Sequence, residues 1–167
     1  EGTSPEGTLV AYTGSKFYGL TSLGGSNGYG VVFEYDSLTK AITKKVDLDG
    51  ANSGKFPSGA LTPLAGSKFI GVTDDGGAEG HGTLFEFDAN TGLLTKEFDF
   101  NSSINGVDCN GGLVLASNGK FYGMTTSGGA HGDGVIFSID ASSRVFQKEA
   151  DLQDTLFGKA PYGNLIE

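Results

Sequence analysis

The sequence has no tryptophan, one cysteine, one methionine and four prolines among 167 residues. A single cysteine excludes an intrachain disulfide framework. Eleven Lys and Arg against twenty Asp and Glu give a formal charge of −9, so the basic track a nucleic-acid binder needs is missing. The same shortage of cations disfavours an anionic membrane surface. No apolar run approaches the roughly 18–20 residues of a membrane helix, so no membrane insertion is expected. The acidity favours solubility. The sequence starts at Glu1 without a methionine or a hydrophobic signal segment, and reads as a mature or excised piece.

Glycine is abundant instead, at 29 residues. Each interior glycine costs a helix roughly 1 kcal/mol relative to alanine, which argues against a long helical bundle. The glycines do not recur every third residue, so a collagen helix is excluded. With 37% hydrophobic and 11% aromatic residues, a packed core is within reach.

The chain repeats itself. Lys16-Phe17-Tyr18-Gly19 returns as Lys68-Phe69-Ile70-Gly71 and Lys120-Phe121-Tyr122-Gly123, a step of 52 each time. Gly24-Gly25, Gly76-Gly77 and Gly128-Gly129 keep the step, as do Phe33, Phe85 and Phe137, and Asp36, Asp88 and Asp140. Three units, 7–58, 59–110 and 111–162, align without a gap, and 15 of the 52 columns are invariant among them, seven of these glycine. Residues 1–6 match the end of a preceding unit and 163–167 the start of a following one. The expectation is a window onto a longer array, or a protomer whose ends overlap a neighbour.

Each unit contains four β-like runs; in the first these are Gly7–Tyr12, Lys16–Ser22, Gly30–Asp36 and Ala41–Leu48. The third alternates, with Val31, Phe33 and Tyr35 on one face and Val32, Glu34 and Asp36 on the other. Short hairpin connections join the runs. Four short antiparallel strands in about 50 residues, repeated, predict an all-β array of propeller-like blades. A blade must stack on neighbours, and Leu9, Phe17, Phe33 and their equivalents are the expected packing residues. A parallel β-solenoid would need two coils per unit. Three blades cannot close a propeller, which takes four to eight, so an open array or part of a larger or oligomeric propeller is expected.

The stretch from Phe17 to Phe33, with Gly19-Leu20-Thr21, Gly24-Gly25, Gly28-Tyr29-Gly30 and Val31-Val32-Phe33, resembles the GloVer-type tandem repeat. Phe121 to Phe137 matches its signature still better. The resemblance covers all three units and implies a large exported or surface protein. The units are also similar to kelch blades, without the downstream tryptophan.

The Gly-rich loops could suggest a phosphate cradle, but they lack the P-loop lysine and a following helix. Their glycines are expected to serve turns and close backbone approach. Asp36, Asp88 and Asp140 are expected to cap the turn after the third run. Asp47, Asp99 and Asp151 follow Lys44, Lys96 and Lys148 by three residues, which on a regular strand puts each pair on opposite faces and predicts pairing across strands or blades. A ring of aspartates at a central channel is the competing expectation. His81 and His131 occupy different columns, so no metal site is expected, and no cofactor either. Cys109 stands where Pro57 and Pro161 stand elsewhere and reads as a passive thiol. Asp74-Asp75 depart from their columns, as a binding site or a solvated loop would. Asn101-Ser102-Ser103 is the one glycosylation sequon.

These readings predict a non-enzymatic, extracellular or cell-surface repeat protein that self-associates or packs with further copies of the repeat, building an array or filament. The competing expectations are a glycan-binding propeller using Tyr18, Tyr29 and Tyr122, and a hydrolase or lyase with a carboxylate pair, for which no pair stands out.

Overall fold

The computed structural model describes residues 1–101 and 104–166. It contains three four-stranded antiparallel sheets, each paired in sequence order. The first is β1 (Gly2–Ala11), β2 (Lys16–Gly24), β3 (Val31–Asp36) and β4 (Ile42–Asp47). The second is β5 (Lys55–Pro63), β6 (Lys68–Asp75), β7 (Thr83–Asp88) and β8 (Leu93–Asp99). The third is β9 (Val114–Leu115), β10 (Lys120–Met124), β11 (Val135–Asp140) and β12 (Phe146–Asp151), followed by one helical turn, α1 (Asp154–Phe157).

A tandem repeat can be cut at any phase, and the hydrogen bonds cut it at Gly2 rather than Gly7. Gly2 pairs with Gly24 and Ala11 with Phe17, so residues on both sides of Gly7 belong to one strand. The third sheet keeps this register in two pieces, an isolated bridge Val107↔Ser127 and the pair Val114↔Tyr122. The sequon's Ser102 and Ser103 lie outside the described residues, as does Glu167.

The sheets stack face to face. Tyr18, Leu20 and Val32 of blade 1 pack on Leu61, Phe69, Phe85 and Phe87 of blade 2. Ile70, Val72, Leu84 and Phe100 of blade 2 pack on Leu113, Phe121, Phe137 and Ile139 of blade 3. Blade 2 is covered on both faces, which is why Thr83, Leu84, Phe85, Glu86 and Phe87 are all buried in succession. The first strands lie side by side: Thr62 Oγ1 donates to Leu113 O at 2.7 Å, and Ser58 Oγ to Cys109 O. The fourth strands are the exposed outer edges. At that rim Arg144 reaches back from blade 3 to Glu86 (2.7 Å) and Glu97 (3.7 Å) of blade 2.

Candidate functional site

Every third strand meets its fourth through a register shift, with Val32 opposite Val46 but Phe33 opposite Lys44, and likewise at Leu84/Phe85 and Ile136/Phe137. This β-bulge inserts one residue and turns positions i and i+3 to the same side. Lys44 therefore bonds Asp47 directly (2.7 Å), and Lys96–Asp99 (2.9 Å) and Lys148–Asp151 (2.7 Å) repeat it. The expected pairing across strands or blades is corrected to pairing within one strand, because the bulge breaks the alternation on which it rested.

The same aspartates clasp the glycine loops. Asp47 Oδ1 accepts from Ser26 N (2.9 Å), Asp99 Oδ1 from Ala78 N (2.9 Å) and Asp151 Oδ1 from Ala130 N (2.7 Å). Bonds from Lys44 and Lys148 hold the carboxyls of Asp47 and Asp151 below the usual range. Gly25, Gly77 and Gly129 have φ of 78°, 79° and 76° and lie against these carboxylates, where a Cβ would collide. Beneath each loop a buried threonine ties the two strands: Thr73 Oγ1 accepts from Thr83 N (2.9 Å) and donates to Asp75 O (3.1 Å). Thr21 and Thr125 make the corresponding bonds. The loop's donors are thus directed at its own blade.

Asp36 Oδ1 accepts from Leu38 N and Thr39 N, Asp88 Oδ1 from Asn90 N, and Asp140 Oδ1 from Ser142 N and Ser143 N. These aspartates close outer turns and do not converge on an axis. Among the described residues, no group of three His, Cys, Asp or Glu side chains is arranged to hold a metal. His131 is exposed and His81 half-buried on separate loops.

Tyr18 is buried and its hydroxyl donates to Glu34 (2.8 Å), so it offers no face to a sugar. Burial works against the Glu34 carboxylate, yet Lys16, Tyr18 and Lys45 hold its pKa below normal. Tyr29 meets Phe56 edge to face at 6.2 Å, and Lys55 Nζ already sits 5.8 and 5.6 Å from the two ring centroids. Asp74 is drawn into the inner part of the blade 2–3 junction. Burial, with repulsion from Asp108, Glu6 and Asp75, pushes its pKa up to about 6, against the lowering effect of Ser58. Its Oδ1 has no hydrogen-bond partner. Cys109 is 1% exposed, and burial raises its thiol pKa.

Two apolar faces are left open. On blade 1, Leu9, Gly19, Phe33, Tyr35 and Ile42 line an open depression. Their counterparts on blade 2, Leu61, Phe85 and Phe87, are covered. Leu9 is 46% exposed against 2% for Leu61. On blade 3, Met124, Ile136, Ala150 and Leu152 line a second depression, with Gly158, Lys159 and Pro161 along one side. Their counterparts Val72, Leu84 and Phe100 are covered by blade 3 itself. Sequence alone identified the packing columns, but not which copies lack a neighbour.

Four-stranded antiparallel sheets stacked face to face, first strands together and fourth strands outward, are the blades of a β-propeller. Solved propeller structures agree. TolB from Acinetobacter baumannii aligns with TM-score 0.51 and 11% identity over 82% of this chain and 30% of its own. The tricorn protease aligns with TM-score 0.52 and 12% identity over 87% of this chain and 13% of its own. The chain therefore spans less than a third of either, and at these identities the likeness is one of fold. No curated protein matches the sequence. The Gloeobacter/Verrucomicrobia repeat matches residues 1–167, and the chain belongs to that family.

Proposed function

We infer that this chain is a non-enzymatic building block of an extracellular or cell-surface assembly, joined to its neighbours by blade-to-blade packing. The observation that carries this reading is the pair of open apolar faces, whose counterparts on blade 2 are covered. Fully burying one large apolar side chain is worth about 1.5–3 kcal/mol, so several together favour a neighbour strongly. Among the described residues, the repeated aspartates are engaged in clasps and turn caps, which supports a non-catalytic role. The family resemblance to exported and surface proteins supports an extracellular setting.

Sedimentation velocity over a wide concentration range, with negative-stain imaging of the same samples, tests the reading. Concentration-dependent particles larger than one chain are expected, and Ile136→Lys should weaken them. A strictly monomeric protein at every concentration overturns it. Glycan binding is the weaker alternative, since Lys55 occupies the Tyr29–Phe56 pair best placed for a sugar; a signal on a glycan array that Tyr29→Ala removes would revive it.

A further inference from the structure

At the outer rim, the two internal junctions are fastened by different columns of the repeat. Between blades 1 and 2, Tyr12 Oη donates to Asn90 Oδ1 (3.2 Å). At the next junction those columns hold Leu64 and Ser142, and Leu64 has no hydroxyl to give. Between blades 2 and 3, Arg144 Nη2 donates to Glu86 Oε2 (2.7 Å), and its Nε lies 3.7 Å from Glu97 Oε2. At the first junction the column of Arg144 holds Gly92, and the columns of Glu86 and Glu97 hold Glu34 and Lys45.

The rim around the Glu34 column is built differently in each blade. In blade 1, Glu34 is held by groups of its own blade: Lys16 (3.0 Å), Tyr18 (2.8 Å) and Lys45 (3.6 Å). Blade 2 has Ile70 and Glu97 where blade 1 has Tyr18 and Lys45. Glu86 thereby loses a hydroxyl and a cation and gains a like charge, while Lys68 stays with it at 2.6 Å. The missing cation comes from blade 3, as Arg144. Burial works against the Glu86 carboxylate, and Lys68 and Arg144 hold its pKa below normal. In blade 3, Ser138 replaces the acid and donates to Glu149 at 2.6 Å.

The turn that carries Arg144 does not need an arginine. Lys40, Gly92 and Arg144 share a column and a left-handed φ, of 61°, 75° and 59°. Glycine is the unstrained residue there. Arg144 stands in that place despite the strain, and with Nε and Nη1 shielded from solvent and without a hydrogen-bond partner. A buried ion pair is a weak source of stability, but breaking one is costly, which suits it to discriminate between neighbours.

We propose that the turn between the third and fourth strands selects the blade that it follows. Arg144 admits blade 3 behind a rim with two carboxylates, that of blade 2. It rejects the rim of blade 1, where Lys16 and Lys45 already surround Glu34. Gly92 fits blade 2 behind that self-contained rim, and behind an acidic rim it would bring no cation. Blades alike enough to share their apolar columns are thereby kept in order, whether a competing blade lies in the same molecule or in another. The selection operates inside one chain and does not depend on assembly.

Exchanging the two halves of the contact tests it. Glu97→Lys gives blade 2 the residue of blade 1 and sets a lysine against Arg144. Arg144→Gly gives blade 3 the turn residue of blade 2. Each change alone should loosen the junction and raise amide exchange at residues 121–123 and 137–139 by roughly ten- to a hundredfold, with little change at residues 18–20. The double variant rebuilds the blade 1–blade 2 arrangement and should exchange within about threefold of wild type. A turn without this role predicts the opposite for Arg144→Gly, since removing backbone strain would slow exchange or leave it unchanged. That result overturns the selection, as does a double variant that exchanges at least as fast as the faster single one. A single variant too unstable to fold counts as a loosened junction if the double variant folds, and a double variant that fails to fold overturns the proposal.

Discussion

Gly71 on β6 stands directly opposite Phe85 on β7, and the phenyl ring lies over the glycine where a Cβ would be. Gly19 with Phe33 and Gly123 with Phe137 repeat the arrangement. The glycine is what lets the ring lie flat against its own sheet and still meet the next blade.

Gly71→Ala should therefore destabilise the fold by about 1–3 kcal/mol through overpacking, since Phe85 is fully buried and cannot move aside. Gly19→Ala should cost less, because Phe33 is only partly covered and can swing outward. Urea denaturation of the two variants checks the difference; equal losses would contradict it.

Asp99→Ala removes both the bond from Ala78 N and the pairing with Lys96, and should cost about 1–2 kcal/mol. Lys96→Ala removes a part-exposed ion pair and a long bond to Ala51 O (3.5 Å), and should cost under about 1 kcal/mol. Amide exchange should rise at Ala78 in the first variant and stay near wild type in the second.

Asp74 makes stability depend on pH in an uncommon direction. Its folded pKa, near 6, lies above the ordinary carboxyl value of about 3.9, so the folded state holds the proton more tightly. Its contribution is complete below about pH 4 and is lost as pH rises through about 6. Asp74→Asn should be more stable than wild type by about 1–2 kcal/mol near pH 8, after allowing for the partial exposure of the site, and equal to it near pH 4. Denaturant midpoints at several pH values decide the matter; a constant offset would mean that the substitution acts through packing instead.

Cys109 should ignore a thiol reagent in the native protein and react in a single phase once the chain is denatured, since burial both covers the thiol and disfavours the thiolate. Stoichiometric labelling without denaturant would place it at the surface.

Much of this fold is legible in the sequence because the repeat multiplies weak signals. Alternation in Val31–Asp36 and its copies, with short polar turns, marks the strands. Two things escape. The bulge between the third and fourth strands leaves no sequence mark, since Lys44 and Asp47 look like opposite faces until the register shift is seen. The covering of a face depends on a neighbour and not on local residues: Leu9 and Leu61 are the same residue in the same column, and only one is buried. The candidate site consists of columns that sequence can name, at copies that only the stacking can single out.

A sheet can grow through a free edge as well as through a free face. The outer strands β4, β8 and β12 each carry a bulge beside a lysine, two devices that spoil the straight, uncharged template an added strand would need. Lateral zippering of blades from different molecules is thereby discouraged, while the apolar faces stay open. On the assembly reading proposed above, growth would add blades around an arc rather than sheets into a fibril.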